Sequence, residues 1–132
     1  MSNVKFRYLY RDASNYKSWA DVIFSNAQCL SLEALEKALR ERLLPDGLFI
    51  ARQIRLPELF LFREYPITQD DHCFHEFNSI EVTGEPATDE FGRSTAELLS
   101  EIGKEGQEGW RTFDPLDAWS LSTAAPSFPC RA

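Results

Sequence analysis

The stretch that decides the fold is VKFRYLYR, residues 4–11. Apolar Val4, Phe6 and Tyr8 alternate there with other side chains, which is the period of a strand that places one face on a core. The polar tract at residues 12–15 supplies side chains that bond their own backbone in turns. Because the run at residues 19–24 also has strand character, the two segments predict an antiparallel hairpin.

A helix is predicted from Leu30 to Leu44. Ser31 is suited to cap its first turn, and Leu30 before the cap can pack on Leu35. Pro45 ends the helix because proline disfavours helical geometry in the residue before it, and the Asp-Gly that follows suits a tight turn. The expected buried stripe recurs at helical spacing: Leu32, Leu35, Leu39 and Leu43.

Three further segments have strand character. In residues 48–56, Leu48, Ile50 and Ile54 share one parity, so a long strand with one mostly polar face is predicted. The short apolar run at residues 59–62 is suited to continue the sheet. Residues 75–83 follow a polar turn and predict another strand.

A second helix is predicted to begin after Ser94, since Glu97 stands three residues on as the partner of a capping box. Its expected buried stripe is Leu98, Leu99 and Ile102. Three glycines then follow at short intervals, and glycine lowers helix propensity. The helix is therefore expected to end where they begin: Gly103, Gly106 and Gly109.

These elements predict an α+β fold. The expected architecture is a mostly antiparallel sheet of four to five strands packed by two or three helices, in ββαββ(β)α order, because strands in runs favour this class over alternating βαβ units. We predict one α+β domain at residues 1–109 and an aromatic-containing C-terminal extension at residues 110–132. In the extension Asp114 and Pro115 are suited to begin a short helix, and the remainder is expected to be partly flexible.

Charge is distributed unevenly along the 132 residues. Residues 1–66 carry 10 Lys/Arg and 8 Asp/Glu, a net +2, whereas residues 67–132 carry 4 and 13, a net −9. The acidic half argues against a nucleic-acid partner, because affinity for phosphates comes from Lys and Arg that displace counterions. A basic protein partner suits it better, and the alternative is a solvated face that maintains solubility.

Cysteine content and hydropathy indicate the compartment. The three cysteines are odd in number and lack paired spacing, and no apolar run is long enough for a signal peptide or a membrane span. These features predict reduced thiols in the cytoplasm and no membrane association. The oligomeric state does not follow from the sequence.

Two groups of residues are candidates for partner binding. Glutamates recur every three or four residues from the second helix onward and precede an aromatic anchor: Glu97, Glu101, Glu105, Glu108 and Trp110. The turn between the first two strands supplies the other group: Arg11, Asn15 and Tyr16. The alternative for this second group is a surface ion pair between Arg11 and Asp12 beside a turn stabilised by side-chain hydrogen bonds.

The densest cluster of metal-type ligands lies at residues 70–76. A site built from Asp71, His72 and His75 would need these groups to converge at metal-ligand distances. Residues three apart on an extended strand point to opposite faces, so convergence would require a turn at His72. We therefore expect no metal and no other cofactor, and we keep the metal site as the alternative.

The segments at Tyr10-Arg11-Asp12, Asn15-Tyr16, Asp70-Asp71-His72 and His75-Glu76-Phe77 carry a resemblance. Over residues 4–102 the chain resembles a family of short, uncharacterised bacterial proteins of about this length. The resemblance implies a bacterial, cytosolic origin and no particular chemistry.

A binding role is favoured over catalysis because none of the catalytic patterns is complete. We predict a non-catalytic accessory or regulatory protein, such as an antitoxin-like or inhibitor-like one, that uses its acidic C-terminal half. The alternative is a metal-dependent hydrolase with its site around Asp71, His72 and His75.

Overall fold

The computed structural model describes residues 2–61 and 71–115. Within these residues, four strands and two α-helices follow one another, with short 3-10 helices at Pro45–Gly47 and Ala51–Ile54. The bounds are β1 Asn3–Arg11, β2 Lys17–Ser25, α1 Leu32–Arg42, β3 Leu48–Phe49, β4 His75–Thr83 and α2 Thr95–Glu108. This order confirms the predicted α+β class.

The sheet is antiparallel throughout and has the order β2-β1-β4-β3. β1 lies at its centre, where Val4 pairs with Phe24 of β2 and with Val82 of β4. The register between β1 and β4 shifts between Arg7 and Tyr8, which is a local irregularity of the kind that increases twist. The β1–β2 register is regular along its whole length.

The core lies between one face of this sheet and the two helices. Phe6 at its centre packs against Phe77 at 5.1 Å and, edge to face, against Phe24 at 6.2 Å between ring centroids. Leu39 of α1 and Ile102 of α2 are buried in the same cluster. The alternation read at residues 4–11 therefore assigns the correct face of β1 to the core.

Both helix starts are confirmed. The Ser31 hydroxyl accepts a hydrogen bond from the backbone N–H of Ala34 at 3.1 Å. At α2, Ser94 and Glu97 form the reciprocal capping box, with each side chain bonded to the other residue's backbone N–H. Each cap depends on residues three positions apart, so it can be predicted without knowing any tertiary contact.

The predicted strand at residues 48–56 is wrong beyond its first two residues. β3 ends at Phe49, and the chain turns into the 3-10 helix Ala51–Ile54, which closes at Arg55 in the left-handed conformation with φ 57°. Phe49 and Gln53, which have the opposite parity to Ile50 and Ile54, are both buried. Burial on both parities removes the alternation that a half-exposed strand requires.

The prediction that glycines end the second helix is also wrong. α2 continues through Gly103 and Gly106 to Glu108. Both glycines face α1: a Cβ at Gly103 would lie 3.3 Å from the Arg42 Nε, and one at Gly106 would lie 3.3 Å from the Arg42 carbonyl oxygen. The missing side chains allow the two helices to approach, and this packing outweighs the low helix propensity of glycine.

These two glycines are expected to respond differently to alanine. Gly103→Ala should raise the free energy of unfolding by up to about 1 kcal/mol, because the Arg42 side chain it meets can move aside. Gly106→Ala meets a backbone oxygen, so its gain should be smaller or reversed. Urea unfolding of both variants measures the difference. Equal gains at the two positions would contradict the close approach at Gly106.

The first residues of the predicted C-terminal extension contact the rest of the fold. Trp110 packs on the main core cluster, and the Arg111 backbone N–H donates to the Gln53 side-chain oxygen at 2.8 Å. The short helix predicted to begin at Asp114 and Pro115 and the tail predicted to be partly flexible fall at residues 116–132, which lie outside the described residues. The apolar run at residues 59–62 adds no strand to the sheet as far as its described part, Leu59 to Leu61, extends.

Within residues 2–61 and 71–115, no helix has the length and apolar character that crossing a bilayer requires.

Candidate interaction surface

The histidine cluster lies where β4 begins, beside the end of β1. The Tyr10 hydroxyl donates to the Asp71 carboxylate at 2.6 Å and accepts the backbone N–H of His72 at 3.2 Å. Burial, together with the hydrogen bond to the Asp71 carboxylate, raises the pKa of Tyr10 above its ordinary value. Tyr10 therefore stays protonated and holds the entry to β4 in place.

His72 uses both ring nitrogens on backbone groups. Its Nδ1 accepts from the N–H of Phe74 at 3.0 Å, so the proton resides on Nε2, which donates to the Arg11 carbonyl at 2.7 Å. A metal needs a ring nitrogen with a free lone pair, and this arrangement leaves none on His72.

His75 is enclosed by aromatic rings. Its Nε2 accepts the backbone N–H of Leu59 at 2.9 Å, and the Phe60 and Tyr10 rings lie 5.0 and 5.5 Å from its centroid. Burial, with a smaller contribution from the nearby His72, lowers the pKa of His75 to about 3, so the ring is neutral. Its Nδ1 is buried without a hydrogen-bond partner among the described residues.

The alternative metal site is not assembled by this geometry. Asp71, His72 and His75 each bond a different group, and the described part of the chain contains no set of three or more His, Cys, Asp or Glu side chains placed to hold a metal ion. Cys73 between the two histidines is buried, and that burial raises the pKa of its thiol. A thiol with a raised pKa is a poor nucleophile.

The predicted acidic stripe of α2 is largely committed to contacts within the chain. Glu101 accepts two hydrogen bonds from Arg55, at 2.8 and 2.9 Å, and one from Arg93 at 3.0 Å. Glu105 accepts from the Gln53 amide at 3.0 Å and from Arg111 at 3.2 Å. These arginines neutralise the carboxylates that the sequence assigns to a partner.

The remaining members of that group differ in availability. The Glu97 carboxylate is exposed but bonds the backbone N–H of Ser94 in the capping box at 2.9 Å. Glu108 is exposed near the helix end, and Trp110 is half-buried against the core. The five residues therefore do not form one free acidic surface.

Arg93 has a structural role that the sequence pattern did not predict. Its side chain is 5 % exposed, and its guanidinium donates to both Asp89 carboxylate oxygens, at 2.9 and 3.0 Å, and to the Ile54 carbonyl at 2.6 Å. Burial alone would raise the pKa of Asp89, but the hydrogen bonds from Arg93 outweigh it and hold that pKa below its ordinary value. The available signal was the Asp89/Arg93 spacing of four residues before the α2 cap.

The hairpin end places aromatic side chains in solvent on a braced backbone. Asn15 occupies the left-handed region with φ 72°, which Asn tolerates, and its side-chain oxygen accepts from Arg11 at 2.6 Å. Arg11 also donates two hydrogen bonds to the Glu76 carboxylate of β4, at 3.0 and 3.1 Å. Tyr16 beside this turn is 69 % exposed.

Trp19 extends the same surface along β2. Its side chain is 43 % exposed, and the Arg7 guanidinium stacks over its ring at 4.9 Å. Arg7 in turn contacts the Asp21 carboxylate at 3.4 Å. We call Tyr16, Trp19 and Arg7 the hairpin surface. The sequence predicted Tyr16 as a partner-binding residue of the turn. It placed Trp19 within a strand and did not predict that its side chain is exposed.

Comparison with known proteins adds no relative to this picture: no family model, no curated protein and no solved structure matches the chain. The resemblance to short bacterial proteins stays a prediction.

Proposed function

We propose that this is a non-catalytic protein-binding module whose docking site is the hairpin surface. The observation that carries the proposal is the pair of exposed aromatic side chains, Tyr16 at 69 % and Trp19 at 43 %, at the start of one strand. Tyrosine, tryptophan and arginine contribute most often to binding energy at protein interfaces. The surface combines all three.

Rigidity also supports this choice. The turn is fixed by the bond from the Tyr16 N–H to the Asp12 carboxylate at 2.9 Å and by the Arg11 bridge to Glu76. A docking site that is ordered before it binds loses less conformational entropy on association. The aromatic side chains are therefore presented on a backbone that does not have to rearrange.

The acidic side of α2 is the weaker candidate for docking. Its two central carboxylates, Glu101 and Glu105, bond Arg55, Arg93 and Arg111 of the same chain. A basic partner would have to displace these arginines, and exposed charge pairs contribute little net free energy. Capture of a basic protein through Glu97 and Glu108 remains a prediction of the sequence.

A reducing cytoplasm is part of the same proposal. Cys29 is exposed and Cys73 is buried, and both are free thiols. Exposed unpaired thiols are typical of compartments where glutathione and thioredoxin keep cysteines reduced.

Site-specific photocrosslinking tests the hairpin surface. Photoreactive p-benzoylphenylalanine is introduced at Tyr16 in one variant and, as the matched control, at Phe91 in another, since Phe91 is an aromatic side chain 51 % exposed elsewhere on the domain. On irradiation in the native host, the Tyr16 variant should give a discrete protein adduct and the Phe91 variant should not. Adducts from Phe91 alone, or from neither variant, would contradict the proposal.

A further inference from the structure

The outer edge of β2 is only half covered. Ile23 directs its backbone away from β1: its N–H donates to the Thr88 hydroxyl at 2.9 Å, and its carbonyl accepts the Thr88 N–H at 2.9 Å. Ser25 forms a parallel bridge with Ser94 farther along. The segment from Thr88 to Ser94 thus closes this end of the edge, as native proteins commonly protect exposed strands.

Among the described residues, none covers the other half of this edge. Because the β1–β2 register is regular, the residues that share the parity of Ile23 also direct their backbone groups outward. On this half of the strand these residues are Lys17, Trp19 and Asp21, and no described residue bonds their backbone on that side. An open strand edge is a template for pairing with another strand.

The side chains along this open half are self-complementary. If a second β2 pairs antiparallel with its two-fold axis at Trp19, Lys17 stands opposite Asp21 of the other copy, and Asp21 stands opposite its Lys17. The two Trp19 rings then stand side by side at the axis. Opposite charges and aromatic pairs directly across two strands stabilise a sheet.

We infer that the partner at the hairpin surface is a second copy of this chain, joined edge to edge through residues 17–21 of β2. This inference rests on the proposed function and names its partner. The pairing joins two four-stranded sheets into one of eight strands, and it is isologous, as two-fold symmetry requires. The cover from Thr88 limits the pairing to about five residues, so the dimer is weak and concentration-dependent.

Charge reversal tests the register directly. Lys17→Asp places two aspartates opposite each other at both ends of the pairing, and Asp21→Lys places two lysines there. Each variant should dissociate at least about tenfold more readily than the parent in sedimentation velocity between about 10 µM and 1 mM. An equimolar mixture of the two variants should recover the dimer, because every cross-strand pair at positions 17 and 21 then joins an aspartate of one variant to a lysine of the other.

The controls separate misfolding from lost pairing. Each variant should melt as one cooperative unit, and recovery in the mixture excludes unfolding as the cause of dissociation. A parent that stays monomeric to about 1 mM, or a dimer that neither reversal weakens, overturns the second copy as partner. If the Tyr16 photoadduct then contains a different protein, the proposed function stands while this inference fails.

Discussion

Replacing Arg93 by Met is expected to lower the free energy of unfolding by about 3–5 kcal/mol, because it leaves the Asp89 carboxylate buried without its partner. Arg93 also ties the Ile54 and Arg55 carbonyls to the α2 cap region, so the variant loses several charge-assisted hydrogen bonds at once. Guanidinium chloride unfolding of parent and variant measures the loss.

Two further variants define what the Arg93 result means. Lys37→Met removes an exposed ion pair with Glu41 and should change stability by less than about 0.5 kcal/mol. Asp89→Asn combined with Arg93→Met should cost less than the sum of the single changes, since no buried charge is left unpaired. Additive costs would mean that the two residues act independently.

Acid is expected to destabilise the protein well above the pH at which carboxylates titrate. The pKa of buried His75 falls from about 6.5 in the unfolded chain to about 3 in the fold, so the unfolded chain binds the extra proton over that interval. The stability that the neutral ring permits is therefore complete above about pH 6.5 and is lost as the pH falls. The expected loss is about 2.5 kcal/mol between about pH 7 and pH 4.5.

His75→Gln provides the matched control for this pH dependence. Glutamine can accept the Leu59 N–H but does not titrate, so the variant should be less stable at neutral pH and nearly flat in stability down to about pH 4.5. Urea unfolding across this range measures both slopes. If the stability of the parent varied as little with pH as that of the variant, His75 would not be buried as a neutral ring.

Local patterns predicted what local interactions determine. The strand at residues 4–11, the cap at Ser31 and the box of Ser94 with Glu97 each depend on neighbours a few residues away. The predicted strand at residues 75–83 agrees with β4 in both bounds. In all of these, the residue types and their spacing contain the physical cause of the structure.

The errors arise where distant residues decide the structure. Gln53 is buried because its amide nitrogen donates to the Gly109 carbonyl, 56 residues along the chain, and nothing near Gln53 reveals that acceptor. Gly103 and Gly106 continue a helix because α1 lies against them. Contacts of this kind overrule periodicity and propensity, which describe a segment on its own.

Contacts between distant residues also explain why the candidate sites differ from their predictions. Spacing on α2 assigned Glu101 to a partner, but Arg55 and Arg93 reach it from other segments. The two histidines are adjacent in sequence to metal-type ligands, yet each is held by a backbone group. Exposure of Trp19 follows from its position on the edge strand, which requires the strand order of the sheet.

The most direct test of the central claim is the concentration dependence of the backbone amide chemical shifts. As the protein concentration is raised from about 20 µM to 1 mM, the amide resonances of Trp19 and Asp21 should shift and their hydrogen exchange should become slower. The amide resonances of Glu97 and Glu108 should stay constant. Shifts centred on Glu97 and Glu108, or none at any residue, would contradict pairing of two copies through the open edge of β2.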